Sequence, residues 1–263
     1  MKLFVFDVDG TLVTWTGILR KKTISSINKR LKNGDAVAIA SGRPYIGIKK
    51  YLDCFCEGKK FAIAANGGAT YDYIGNVIDT CALTYKDFYE MNKKYADVIK
   101  SKKGSIYCYT LDSVGYFRMT HNTLMESKCN NGIPLIDLNK VHLKDDDVIL
   151  KIMIAAKKEN MEDIDFSYEK NKYHWVDSSS FYHEYVNKDA DKARGVETLR
   201  KYLNLKNEDC YCFGDEMNDY LMVKNYDGVA MGNANEKVKK VAKFVTKDVK
   251  NDGVSFALEN YIK

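Results

Sequence analysis

Short apolar runs alternate with helical patterns near the start of the chain. Three such runs lie at positions 3–6, 36–40 and 61–65. Their apolar, β-branched and aromatic content is typical of buried strands. Between the first two runs, Ile24, Ile27 and Leu31 share one helical face, and Gly34 is suited to end that helix. Strands separated by helices predict βαβ units and a parallel sheet.

The same alternation returns from Asp189 onward, whereas the middle of the chain has a different texture. Further strand-like runs lie at 210–213, 228–231 and 243–246. From about 80 to 186 the apolar runs are shorter and richer in aromatic residues, with candidate helices near 85–100 and 159–170. We therefore predict an α/β fold. Its Rossmann-like parallel-sheet core comprises residues 1–80 and 187–263, and residues 81–186 form an inserted α+β module.

The first apolar run leads directly into two acids, a glycine and a threonine. Asp7 and Asp9 are two residues apart and would share a face of a regular strand, but the chain turns here and leaves their directions open. Gly10 supplies the backbone freedom for that turn. Two close carboxylates repel each other unless a cation lies between them or they share a proton. Mg²⁺ prefers oxygen ligands and suits this need.

The other strand-like runs near both ends of the chain also end in polar loops, and such loops carry functional residues in parallel sheets. The polar residues gathered in this way are Asp7, Asp9, Thr11, Ser41, Asp215, Asn218 and Asp219, with Lys192 at a helix start. The set contains no histidine and no cysteine, which disfavours a zinc hydrolase or a serine–histidine nucleophile. It suits phosphoryl transfer, because that chemistry depends mostly on positioning and on neutralising negative charge.

Each residue type in this set has a use in phosphoryl transfer. Mg²⁺ and Lys192 would supply positive charge, and Ser41 and Asn218 would donate hydrogen bonds. One carboxylate can attack phosphorus and form an aspartyl-phosphate. A second carboxylate can protonate the leaving oxygen and then accept the proton of the attacking water.

Composition and charge narrow the class of protein further. The net charge of +5 favours anionic substrates. The lysines of the chain are spread too evenly to indicate nucleic-acid binding. No apolar run approaches the roughly 18 residues that cross a bilayer, and Met1 and Lys2 lead straight into the first strand. We therefore expect no membrane segment and no signal peptide. The seven cysteines form no CxxC pair, and a reducing cytoplasmic location fits them best.

In order along the chain, four segments resemble the motifs of haloacid dehalogenase (HAD) superfamily phosphatases, and within them the Cof-like group with a large α/β (type IIB) cap. The four segments are Asp7-Val8-Asp9-Gly10-Thr11, Ser41-Gly42-Arg43, Lys192-Ala193-Arg194-Gly195-Val196 and Gly214-Asp215-Glu216-Met217-Asn218-Asp219. Three further Cof-like pieces are Asn66-Gly67-Gly68-Ala69, Met231-Gly232-Asn233-Ala234 and Asn251-Asp252-Gly253-Val254. The resemblance covers the core at both ends of the chain; over the inserted module it depends on position and length.

The resemblance implies a role for each of these residues. Asp7 would be the nucleophile and Asp9 the general acid/base. The Asp7 carboxylate, the Asp9 backbone carbonyl and Asp215 would hold Mg²⁺, and Asp219 would be a further metal partner, either as a direct ligand or through the residues that hold the ion. The residues implied to bind the phosphoryl group are Thr11, Ser41, Gly42, Lys192 and Asn218. The related ion-pumping ATPases carry threonine at the position of Asp9, so an acid there implies rapid hydrolysis and hence a phosphatase.

The resemblance also implies a substrate class. Small phosphorylated metabolites, such as sugar phosphates or nucleotide-like cofactors, are expected, with residues 81–186 closing over the site as a cap. We expect a monomer or a weak homo-oligomer. Two alternatives stay open: a phosphotransferase or phosphomutase, and a non-catalytic phospho-ligand-binding protein on the same scaffold. A response-regulator receiver domain is disfavoured, because it lacks such an insertion and has no need of Asp9.

Overall fold

The computed structural model describes residues 1–14, 16–162, 164–179 and 182–262. The chain divides into two compact units. The first, here called the core unit, comprises Met1–Asp79 and Asp191–Lys263, and the second, the inserted unit, comprises Thr80–Ala190.

The first segment of the core unit carries five strands and two helices. They are β1 (Leu3–Asp7), α1 (Lys21–Lys32), β2 (Ala36–Ala40), α2 (Tyr45–Leu52), β3 (Lys59–Ala64), β4 (Ala69–Asp72) and β5 (Val77–Thr80). Helix α1 ends where the sequence predicts, because Gly34 takes a left-handed φ of +83° just beyond it. Basic residues in its last turn, among them Lys29 and Lys32, favour the negative end of the helix dipole.

The inserted unit is an α+β module. Its elements are β6 (Leu83–Thr84), α3 (Tyr85–Ser101), β7 (Ser105–Tyr109), β8 (Val114–Tyr116), α4 (His121–Cys129), β9 (Leu135–Asp137), β10 (Val148–Ile149), β11 (Lys151–Ala155), α5 (Lys158–Met161), α6 (Ser167–Lys172), β12 (His174–Ser179) and β13 (Tyr182–Val186). Six strands form a sheet in the order β12-β13-β11-β7-β8-β9, in which only β8 and β9 run parallel. Strands β6 and β10 form a separate antiparallel pair.

One helix prediction in the inserted unit is wrong. The sequence predicts a single helix over 159–170, but the structure has two short helices, α5 and α6. The second helix has its own start, since the side chain of Asp165 accepts a hydrogen bond from the backbone N–H of Ser167 at 2.8 Å. Local turns of this kind compete with a continuous helix.

The core unit resumes at residue 191. Its remaining elements are α7 (Lys192–Tyr202), β14 (Cys210–Gly214), α8 (Tyr220–Asn225), β15 (Asp227–Ala230), α9 (Glu236–Val241), β16 (Phe244–Val245) and α10 (Gly253–Asn260). The eight-stranded sheet has the order β16-β15-β14-β1-β2-β3-β4-β5. Strands β16 to β3 in that order are all parallel, and β4 is antiparallel to β3. This confirms the predicted α/β fold class with a Rossmann-like, parallel-rich sheet.

Each unit has its own apolar core. In the core unit, Phe6 on β1 is fully buried and its ring lies 4.7 Å from that of Phe213 on β14. In the inserted unit, helix α3 buries Phe88, Met91 and Ile99 against the six-stranded sheet. Burial of such apolar area is the main favourable term for folding.

Candidate active site

The predicted site residues of the core unit lie at one edge of its sheet. Asp7 ends β1, Ser41 follows β2, and Asp215 follows β14. Strands β14, β1 and β2 are parallel neighbours, so their carboxyl ends meet at the same edge. The order of the strands thus brings together residues that are about 200 positions apart in the chain, as is usual for sites of parallel sheets.

Three carboxylates form a buried cluster at this edge. Asp7, Asp215 and Asp219 each offer an oxygen within 4.8 Å of the others, and their exposed fractions are only 6%, 5% and 0%. Asp9 lies outside this cluster. Its side chain is 59% exposed and accepts two hydrogen bonds from the Arg43 guanidinium, at 2.9 and 3.1 Å.

Lys192 is the cation of this cluster. The side chain of Asp191 caps α7 by accepting from the backbone N–H of Arg194 at 2.8 Å, which sets Lys192 in the first turn of the helix. Its Nζ donates to Asp7 Oδ1 at 2.5 Å and to Asp219 Oδ1 at 2.6 Å. The ammonium is fully buried, so these contacts act with little screening by water.

Burial and mutual repulsion shift the protonation of these groups. Burial raises the pKa of Asp7 well above its ordinary value, and repulsion from Asp219 adds to this effect. Burial, again with repulsion from Asp219, raises the pKa of Asp215 to about 7. Burial alone would lower the pKa of Lys192, but its attraction to Asp219 and Asp7 outweighs burial and raises it. One buried ammonium therefore does not compensate three carboxylates.

Asp219 binds both the cation and the backbone of its own loop. Its Oδ1 accepts from Lys192, while its Oδ2 accepts from the backbone N–H groups of Asp215 and Glu216 at 2.9 and 3.1 Å. A carboxylate with these contacts fixes the loop that carries Asp215.

Asp215 is held by side chains from two other loops. Thr11 Oγ1 donates to its Oδ1 at 2.9 Å, and Asn233 Nδ2 donates to its Oδ2 at 3.1 Å. Asn233 also donates to the carbonyl oxygen of Gly10 at 2.9 Å. A Cβ at Gly10, whose φ is +91°, would lie 2.1 Å from Asp215 Oδ2, so this carboxylate can approach only a glycine there.

The remaining predicted residues lie beside the acidic cluster. Ser41 is 3% exposed, and its Oγ accepts from the backbone N–H of Arg43 at 3.3 Å. Asn218 is exposed, and its Nδ2 donates to Asn66 Oδ1 at 3.2 Å. The carboxamide of Asn66 also lies over Gly42, where an added Cβ would be 3.2 Å from Asn66 Nδ2.

Three residues at this edge are absent from the set predicted by sequence reasoning: Arg43, Asn66 and Asn233. All three lie in segments that resemble family motifs, and that resemblance is the sequence signal that could have identified them. Residue type alone did not reveal their partners, because Asn233 acts on Gly10 and Asp215 through contacts that are distant in the chain.

The acidic cluster can hold a divalent cation. Its three oxygens lie close enough together to share one ion. The uncompensated negative charge favours such an ion, and carboxylate oxygens are the ligands that hard cations prefer.

The sequence comparison identifies the family. Residues 4–258 match the family profile of haloacid dehalogenase-like hydrolases. The chain belongs to this family.

Two relatives and one solved structure show how far the sequence and fold of this haloacid dehalogenase-like chain are shared. A candidate phosphatase of Bacillus subtilis is 26% identical over 272 residues, which cover 99% of this chain and 98% of that protein. The 5-amino-6-(5-phospho-D-ribitylamino)uracil phosphatase of Bacillus subtilis is 25% identical over 264 residues, covering 100% and 96%. A haloacid dehalogenase-like hydrolase from Bacteroides thetaiotaomicron, with 24% identity, shares the fold with a TM-score of 0.84 over 99% of both chains.

These comparisons confirm the predicted family and the predicted enzyme class, a phosphatase of the haloacid dehalogenase type. Among the helices of the described residues, none has the length and apolar character needed to cross a membrane.

Proposed function

We propose that this chain is a Mg²⁺-dependent phosphatase that hydrolyses small phosphorylated metabolites through an aspartyl-phosphate. The observation that carries the proposal is the buried cluster of three acids around Lys192, which has an excess of negative charge. Such a cluster is costly unless a cation completes it.

The proposed metal ligands are the carboxylates of Asp7 and Asp215 and the backbone carbonyl of Asp9. We propose that Asp219 orients Lys192 and the loop of Asp215 without binding the ion itself, since its oxygens already accept hydrogen bonds from Lys192 and from the 215–216 backbone. When bound, the ion would neutralise charge on the phosphoryl oxygens and on the attacking carboxylate.

The proposed reaction has two displacements at phosphorus. In the first, a carboxylate oxygen of Asp7 forms a bond to phosphorus while the bond from phosphorus to the ester oxygen breaks, and Asp9 gives that oxygen its proton. In the second, water attacks the aspartyl-phosphate, Asp9 accepts the proton of the water, and the Asp7–phosphorus bond breaks. Asp9 is the carboxylate proposed for both transfers because its side chain lies outside the buried acidic cluster and does not contact Lys192.

The groups proposed to hold the phosphoryl oxygens are Ser41, Gly42, Lys192 and Asn218, with Thr11 acting through its bond to Asp215. We propose the inserted unit as the cap that selects the leaving group. A phosphorylated metabolite is also the substrate in the name of the ribitylaminouracil phosphatase relative.

Phosphate release from Asp7→Asn tests the proposal. Wild-type protein should release phosphate from an aryl phosphate and from members of a panel of phosphorylated metabolites, with release lost on chelation and restored by Mg²⁺. Asp7→Asn should lower the rate on the order of 10³-fold or more, because an amide cannot replace the attacking carboxylate. Acid-quenched wild-type protein should carry one phosphoryl group on the peptide that contains Asp7.

Asp97→Asn is the matched control. It makes the same chemical change at an exposed position of α3 and should leave phosphate release unchanged. Near-normal turnover by Asp7→Asn would disprove the nucleophile assignment. Phosphate transfer to an added alcohol, with little release to water, would favour a phosphotransferase instead.

A further inference from the structure

A left-handed backbone stretch follows β3. Ala65, Asn66 and Gly67 have φ values of 50°, 54° and 93°. Left-handed conformations are unfavourable for residues with a side chain, for asparagine less than for alanine, and two such residues in succession persist where their surroundings hold them. Strain of this kind gathers at functional sites, so the contacts that hold this stretch indicate what it does.

The loop after β2 holds the first half of the stretch. The backbone N–H of Ala65 donates to the carbonyl oxygen of Arg43 at 3.0 Å, and that of Asn66 donates to the carbonyl oxygen of Ser41 at 2.9 Å. The left-handed backbone is thus bonded to the loop that supplies two residues of the proposed phosphoryl site.

The start of α7 fixes the other half. A Cβ added at Gly67 would lie 1.9 Å from the carbonyl oxygen of Asp191, so only a glycine allows this close approach. Asp191 directly precedes Lys192. The strained stretch therefore lies between the loop of Ser41 and the helix that carries the buried lysine.

The polar side chain of this left-handed stretch is the carboxamide of Asn66. It lies over Gly42, and its Oδ1 accepts from Asn218 Nδ2 at 3.2 Å. Asn218 is exposed, so its amide would otherwise rotate freely. A side-chain amide has two N–H donors, and the bond to Asn66 uses one of them and fixes the direction of the other.

We propose that Asn66 is a positioning residue for the phosphoryl group. By accepting one N–H of Asn218, it aims the second at a phosphoryl oxygen, and the backbone strain is tolerated because it places the carboxamide there. This inference rests on the proposed function, because it assigns Asn66 to the same phosphoryl site. Pre-organised donors of this kind bind more tightly because less freedom is lost when the ligand arrives.

The test is Asn66→Gly, which removes the carboxamide and also relieves the left-handed strain. We expect its melting temperature to equal or exceed that of wild-type protein. The KM for an aryl phosphate and the inhibition constant of inorganic phosphate should both rise about tenfold, which corresponds to the free energy of one hydrogen bond. The kcat should change less than about threefold. In an Asn218→Ala background, Asn66→Gly should change neither constant by more than about twofold, because coupled residues are not additive.

Asn204→Gly is the matched control. Asn204 is also left-handed, with a φ of 53°, but it is an exposed residue after α7. Its melting temperature should likewise equal or exceed that of wild-type protein, and its KM should equal the wild-type value. Unchanged phosphate constants in Asn66→Gly, a fall in its melting temperature, or full additivity with Asn218→Ala would each overturn the inference.

Calorimetric titration with inorganic phosphate and Mg²⁺ separates this inference from the proposed function. If wild-type protein lacks turnover but binds phosphate more tightly than Asn66→Gly does, the positioning role stands and the hydrolytic function fails. If wild-type protein binds no phosphate, the positioning role fails as well.

Discussion

Each unit buries a lysine against carboxylates, and the two lysines differ in their balance of charge. Lys192 in the core unit contacts Asp7 and Asp219 at 2.5 and 2.6 Å. Lys151 on β11 of the inserted unit donates to Glu184 on β13 at 3.1 Å, and its ammonium lies 4.7 Å from the centre of the Tyr109 ring. Both lysines are at least 95% buried, with exposed fractions of 1% and 5%.

The difference separates a reactive site from a structural pair. Lys151 and Glu184 cancel each other's charge, and an aromatic face suits the ammonium. Around Lys192 the acids outnumber the cation, and burial with repulsion from Asp219 raises the pKa of the third acid, Asp215, to about 7. Burial of ions is therefore no indicator of function by itself, whereas an excess of buried charge of one sign indicates a site that can bind a counter-ion.

Of the three tests of this comparison, replacing Lys192 should give the largest effect. Lys192→Met removes the positive charge beside Asp7, and we expect kcat to fall by about 10²- to 10³-fold, as for loss of a key electrostatic group. The measurement is steady-state phosphate release at saturating Mg²⁺. Lys60→Met is the control, since Lys60 is also buried but donates to the carbonyl oxygens of Leu52 and Phe55. Equal losses of kcat in both variants would show that burial of a lysine, and not its place beside Asp7, accounts for the effect.

Replacing Lys151 should affect stability. Lys151→Met leaves Glu184 buried without its cation and should cost about 3–5 kcal/mol of unfolding free energy. The double variant Lys151→Met/Glu184→Leu should recover most of that loss, because a balanced pair can be exchanged for apolar side chains at little cost. Denaturant unfolding measures both values. A double variant as unstable as the single one would show that Lys151 is more than half of a balanced pair.

The smallest expected effect is the change of stability and of Mg²⁺ affinity with pH. The folded-state pKa of Asp215, about 7, lies above its ordinary value of 3.8, so the folded protein binds a proton more tightly than the unfolded chain. Without metal, stability should therefore decrease as pH rises from roughly 4 through 7. Mg²⁺ would displace the proton of Asp215, so its affinity should increase with pH, by about tenfold per unit up to pH 7 for this proton, and the raised pKa of Asp7 can only add to that increase. Calorimetry and thermal melting between pH 5 and 8 measure these trends.

Glu184→Gln is the control for that experiment, because it alters the other buried pair and should leave the pH trend of Mg²⁺ affinity unchanged. Affinity that is constant between pH 5 and 8 would contradict the description of the acidic cluster.

The sequence predicts most of the core unit because its strands carry strong local signals. The run at 36–40 coincides with β2, and the first run with the start of β1. Strands β4 and β5 were not predicted, since they lie at the end of the sheet and form by pairing rather than by a run of apolar residues. The split of the 159–170 helix depends on the turn at Asp165, which periodicity does not reveal.

The site was predictable where residue type decides the chemistry, and less so where geometry decides it. Acids at strand ends and a lysine at a helix start were sufficient to predict that Asp7, Asp215 and Lys192 lie at one edge. The pairing of Arg43 with Asp9 and of Asn66 with Asn218 depends on long-range contacts and on a left-handed backbone. Asparagine is tolerated in such conformations, so its presence in a Gly-rich loop gives only a weak signal.

The pairing of β1 with β14 has a consequence for synthesis of the chain. Leu3 pairs with Cys210, so one edge of β1 stays unpaired on the ribosome until β14 has been made. The inserted unit is continuous in sequence and is complete by residue 190, so it can fold first. An apolar strand with a bare edge is prone to pair with other chains. A nascent chain that stalls before β14 therefore exposes an edge of β1 that can pair with other chains.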